Sequence, residues 1–277
     1  MFFRLFMFKA CLLNIVFLIV ILPITNAAAN DEQRYALVVG NAAYAIGALD
    51  NPLNDAKDIS QKLEVQNFKV TTLLDASSEN MSKAITDFYR KIQSSKAASV
   101  FYYAGHAMQI NNVNYLLPVD VQVQSKEALL DSSVSLNYLL RTMRESKSRT
   151  NIVILDACRN NPFVAEKGVA GSRGISLGDE SGKGLAPVEA PPGTFIAYST
   201  EPGRVAQDGA GRNGTYTKHL LTHITTATDV ETMFKLVRKD VMKETRQKQI
   251  PWEHSSLYSN FLFKKNDAQE LPTIPSF

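Results

Sequence analysis

Cysteine is almost missing from this chain. Two occur in 277 residues, Cys11 and Cys158, and Cys11 falls in the N-terminal apolar stretch. No internal disulfide can hold the remainder together. Charge of one sign is also lacking: the net charge is +3. Removing the first 29 residues takes away Arg4 and Lys9 and no acid, leaving 3 − 2 = +1. A near-neutral chain argues against nucleic acid as the main partner. There is no Gly-x-Ser-x-Gly elbow and no paired-cysteine metal spacing. Gly178 to Gly184 lacks the spacing of a phosphate-binding loop. No internal repeat is visible.

What the N-terminus does have is a leader pattern. Arg4 and Lys9 precede an apolar run from Ala10 to Leu22, broken by Asn14 and followed by Pro23 and Ala27-Ala28-Ala29. Basic, apolar and small-residue regions in that order read as a signal peptide over residues 1–29. The run is shorter than the roughly 20 residues of a membrane span, and an uncleaved anchor is the alternative. Lys9-Ala10 before Cys11 does not suit a lipoprotein site. The expectation is export, most simply to a periplasm, with membrane contact only through an uncleaved leader. Cleavage leaves 277 − 29 = 248 residues, 30–277, enough for one large α/β core.

Along that core, strand-like runs alternate with helical periods. Tyr35–Val39, Phe68–Leu74, Ala98–Ala104, Ile152–Asp156 and Thr194–Ser199 read as strands, and Tyr258–Phe263 as a sixth. Asn54–Leu63, Ser78–Gln93, Val134–Arg144, Tyr216–Ile224 and Asp229–Thr245 read as helices. Met108–Leu117 suggests a hairpin turning at Asn111-Asn112. The alternation implies a mostly parallel sheet of about six strands covered by helices on both faces. One long loop, about 164–193, has no period of either kind. It borders the site or is an insertion. Trp252 reads as a packing anchor.

The chemistry concentrates at two predicted strand ends. Cys158 follows Ile152-Val153-Ile154-Leu155-Asp156-Ala157, and His106 follows Val100 to Gly105. Open α/β sheets build their sites at the carboxyl edge of the strands. A thiol is a weak nucleophile until ionised, and an imidazole within reach can take its proton. The other histidines, His219, His223 and His254, lie elsewhere. His219 and His223 share an i, i+4 spacing but have no obvious third ligand, so no metal site is assigned. A buried cysteine serving as a small apolar residue is the plainer alternative.

The separation of the pair is 158 − 106 = 52 residues. With Phe101-Tyr102-Tyr103-Ala104-Gly105-His106, Asn114 to Asp120, Asp156-Ala157-Cys158-Arg159 and Ala197 to Gly203, the sequence resembles the caspase-like cysteine peptidases. That clan includes caspases, metacaspases and paracaspases. The resemblance implies the caspase-like α/β fold, with Cys158 as nucleophile and His106 as base. It also implies an oxyanion hole made by the backbone N–H groups of Ala107 and Cys158. The family usually has Gly after the histidine. At Ala107 a Cβ stands in the way if that position needs a positive φ. Asp156 occupies the position that is acidic in relatives cutting after Arg or Lys. With Asp208, and with Asp50 in the first loop, it is expected to bind a basic side chain. Asp55 is read as a helix-start acid that could line the same cleft. The expected partner is a peptide or protein with a basic residue before the cut, and no cofactor is expected. Lys167, Arg173 and Lys183 are candidate self-cleavage sites. The main rival reading is an inactive interaction module.

Overall fold

The structure, a computed structural model, describes residues 32–93, 95, 97–158, 185–186, 188–201 and 211–264, with Cys158 given by its backbone. Five strands run parallel in the order β2 (Lys69–Leu74), β1 (Arg34–Gly40), β3 (Ala98–Ile110), β6 (Thr150–Cys158) and β7 (Thr194–Tyr198). β8 (Trp252–Ser255) closes the row antiparallel to β7. β4 (Val113–Leu116) folds back on β3 across Asn111-Asn112, and β5 (Val134–Ser135) pairs with β4. Both turn residues have positive φ, 52° and 60°. Asparagine tolerates this better than most residues, and two-residue hairpins demand it.

Alternation along the strands divides the core in two. Leu37, Val39, Phe101, Tyr103, Val153 and Leu155 meet α2 (Ser78–Lys91) and α4 (Leu136–Ser146). Ala36, Val38, Val100, Tyr102, Ile152 and Ile154 meet α1 (Pro52–Val65), α5 (Thr215–His223) and α6 (Val230–Glu244). β1 and β3 are buried almost end to end, as strands covered on both faces must be. The caps follow the chemistry of orphan N–H groups. Ser77 accepts from Asn80, Ser135 from Tyr138, and Asp229 from Glu231 and Thr232.

Three expectations are corrected. Tyr258–Phe263 is not a strand. Arg34 donates from Nη1 to the Phe263 carbonyl (2.6 Å) and from Nη2 to that of Leu262 (2.7 Å), so a side chain takes the bonds a ladder would have used. The sixth strand is β8, which begins six residues upstream of the expected one, where the Trp-Glu-His-Ser composition gave no alternating apolar signal. Trp252 is no packing anchor, being 46% exposed. Val134 pairs with Leu116 before the helix begins. The short α3 (Lys126–Asp131), which buries only Leu129, had no expectation attached. Most of the long loop lies outside the described residues.

Candidate active site

Parallel pairing of β3 with β6 runs in register from Ala98 opposite Thr150 to His106 opposite Cys158. The two residues thus stand side by side at neighbouring strand tips. Asp156 pairs across from Ala104 and lies on the face covered by α1 and α5.

His106 is 5% exposed and held from several sides. Its Nε2 lies 2.6 Å from the Gly47 carbonyl. A carbonyl only accepts, so Nε2 carries the proton and Nδ1 is the basic nitrogen of the neutral ring. Gly47 has φ +73°, a conformation that favours glycine. The Tyr44 ring packs against the imidazole at 4.5 Å between centroids. The His106 N–H donates to the Tyr44 hydroxyl (3.0 Å), which donates to the Leu117 carbonyl (2.9 Å). Tyr103 donates to the His106 carbonyl (2.6 Å). Asn41, fully buried, donates to Leu117 and accepts from Ala76, tying the end of β1 to the same knot. Burial raises the Tyr44 hydroxyl well above its usual range, so it remains protonated.

The direction of the Ala107 backbone follows from the pairing of β3 with β4. Leu117 donates to the His106 carbonyl, so the backbone of 106 faces β4. Ala107 opposite Leu116 is then a non-hydrogen-bonded pair, and its N–H points away from β4, to the side on which β6 ends. The residue does not have positive φ, and its methyl group packs in the core beside Leu116 and Ala157. An alanine is therefore unstrained there. The position that does need glycine is 105, at φ +155°. Ala107 is fully covered and His106 nearly so.

The acidic part of the site differs from expectation. Asp50 is exposed on the loop before α1 and is not part of the buried acid pair. Asp208 and the basic positions Lys167, Arg173 and Lys183 lie outside the described residues. The partner that Asp156 does meet is Asp55, in the first turn of α1 and 3% exposed. Burial, then the charge of Asp156, pushes the Asp55 carboxyl up to about 8. The Gly214 N–H at the start of α5 reaches it at 3.1 Å. Thr217 donates to Asp156 Oδ2 (2.7 Å) and accepts from the Tyr102 hydroxyl (2.5 Å). Asp58 grips Arg212 through both guanidinium bonds (2.8 and 2.9 Å), fixing the turn before α5. That bond is also what holds the Asp58 carboxyl below its usual range. The sequence carried a faint signal for Asp55, a carboxylate at a helix start. It carried none for Gly47, whose contribution is a carbonyl, or for Tyr44 and Thr217.

His219 and His223 face Glu244 and Asp240 of α6 (2.8 and 2.7 Å), joining α5 to α6. Among the described residues no three His, Cys, Asp or Glu gather to hold a metal. None of the described helices is long and apolar enough to cross a membrane.

A mostly parallel sheet that brings His106 and Cys158 to neighbouring strand tips at its carboxyl edge is in keeping with a caspase-like fold. The caspase-domain family model matches residues 33–262, and the chain belongs to that family. It is 27% identical over 129 residues to the mouse (Mus musculus) mucosa-associated lymphoid tissue lymphoma translocation protein 1 homolog, covering 46% of this chain and 15% of that protein. A probable protease of a Desulfuromonadales bacterium is 26% identical over 160 residues, covering 53% of this chain and 18% of the relative. The matches thus span less than a fifth of these relatives. Among solved structures, caspase-1 from Spodoptera frugiperda superposes with a TM-score of 0.61 at 16% identity, covering 86% of this chain and 93% of that one. That likeness shows the fold alone.

Proposed function

We propose that the chain is an exported cysteine endopeptidase that cuts after arginine or lysine. The observation that carries the reading is the register of His106 opposite Cys158, together with the Gly47 contact that leaves Nδ1 as the ring's basic atom. In the proposed reaction, Nδ1 takes the Cys158 proton and the thiolate attacks the scissile carbonyl carbon. The N–H groups of Ala107 and Cys158 receive the oxyanion. His106 then gives its proton to the departing amine. Water, deprotonated by the same ring, releases the acyl group and restores the thiol.

The choice of a basic residue rests on Asp156 and Asp55. A guanidinium entering between them meets the Asp156 carboxylate and, as pH rises through about 8, a second one at Asp55, whereas an acidic side chain would be repelled. Asp208, as a further pocket acid, and self-cleavage at Lys167, Arg173 or Lys183 belong to the same proposal. So does the 1–29 leader.

The test is a fluorogenic peptide series with Arg, Lys or Asp before the reporter, wild type beside Cys158→Ala. Turnover of the Arg and Lys peptides is expected, with none of the Asp peptide and a loss of at least about a thousandfold in the variant. Equal turnover by Cys158→Ala, or preference for Asp, overturns the assignment.

A further inference from the structure

Among the described residues β2 ends the sheet on one side, with β1 as its only strand partner, so no described strand takes its outer backbone groups. The residues of β2 on the α2 side, Lys69, Thr71 and Leu73, stand across from Tyr35, Leu37 and Val39 of β1. They are uncovered or half-covered, although the same face of β1 is sealed by core. A groove of about 490 Å³ lies between them and α2. Ala84 and Phe88 form its apolar middle, with Leu73 opposite.

The charges of the groove are unevenly satisfied. Lys83 is paired with Asp87, four residues on. Asp75 spends one oxygen on the Ala42 and Ala43 N–H groups (2.8 and 2.9 Å). Lys69 and Lys91 have no carboxylate partner among the described residues. Instead both ammonium groups converge on one ring, Tyr35, at 5.2 and 5.7 Å from its centroid. The ring is held in turn by its hydroxyl, which donates to Gln33 (2.6 Å). Two like charges drawn to one end of a half-apolar groove, beside backbone groups that no described strand takes, are complementary to an acidic strand.

We propose that the β2 edge and its groove bind an extended acidic peptide segment of a partner protein as an added strand. Its acidic side chains lie at the Lys69 and Lys91 end. An apolar side chain of the same parity sits over Leu73 and Phe88. The surface is separate from the catalytic residues and does not depend on the peptidase reading.

The probe is a labelled, acetylated Asp-Thr-Glu-Thr-Val-Thr amide, whose two acids and valine share one face of a strand; it contains no basic residue and so is no substrate under the proposed specificity. Binding to the full chain is expected by fluorescence polarisation, with amide exchange slowed across 69–74. The Asn/Gln version of the peptide should fail to bind. The double variant Lys69→Glu/Lys91→Glu, checked for an unchanged melting temperature, should weaken binding roughly tenfold or more, since two attractive contacts become repulsive. Unchanged affinity in that variant overturns the proposal. So does binding without slowed exchange at 69–74, which would mean charge adsorption alone. A free chain whose β2 amides are already protected in a concentration-dependent dimer also overturns it.

Discussion

Gly105 is the residue on which the histidine's setting turns. Its φ of +155° is one L side chains rarely adopt. A Cβ there would lie 2.7 Å from the Tyr44 hydroxyl and 2.8 Å from that of Tyr103. Both hydroxyls are already committed to the backbone of His106 or Leu117. Gly105→Ala is therefore expected to cost about 2 kcal/mol or more from backbone strain and lost hydrogen bonds, and to reduce kcat in the Arg-peptide assay. Thermal unfolding and steady-state kinetics on one preparation check both. The contrast with Ala107 is instructive. The sequence put the glycine question two residues too late, because only the torsion angles separate the two small residues that flank His106. The cysteine and histidine of the proposed reaction were legible as residue types at strand ends. The groups that orient them were not, because a carbonyl and two phenols have no spacing signature.

Elements with strong periodicity were readable: all five parallel strands, the hairpin and the long helices fall close to where the apolar pattern puts them. Helix and strand ends shifted by a few residues, as at Pro52 against Asn54, where proline at the first helical turn extends α1 backwards. The C-terminal segment misled because Phe261 and Phe263 are buried for a different reason. They pack edge to face at 5.3 Å, and Phe68 and Phe261 each stand 5.2 Å from the Arg34 guanidinium. A buried cation thus substitutes for strand pairing, which no alternation of apolar residues reveals. Arg34→Met keeps much of the volume but strips two carbonyls of their donor. It should destabilise by roughly 2–4 kcal/mol, lowering the melting temperature by about 5–15 °C in a domain of this size. Differential scanning calorimetry reads the effect, and an unchanged midpoint would deny the clamp any role.

At the scale of the whole molecule, the acid pair ties stability to pH and, under the proposed function, to specificity as well. Asp55 titrates near 8 when folded against an ordinary carboxylate range when unfolded. The folded state then binds the extra proton between about pH 4 and 8, so this group's contribution to stability falls as pH rises through that window. The same ionisation adds a second negative charge for a basic side chain. KM for the Arg peptide is therefore expected to fall between pH 6 and 9 while the melting temperature also falls. Asp55→Asn should flatten both trends, raising the melting temperature at pH 9 and weakening Arg-peptide binding. A KM profile in the variant that still drops with pH would remove Asp55 from the pocket. Further, β6 and β7 are hydrogen-bonded neighbours across five residue pairs, and Asn114 bonds reciprocally with the backbone of Ala186 (2.6 and 2.8 Å). The two halves of the polypeptide on either side of residues 159–184 are thus stitched together through the middle of the sheet. A scission in that interval would leave a two-piece complex that migrates as one particle, and only a denaturing separation would reveal the fragments.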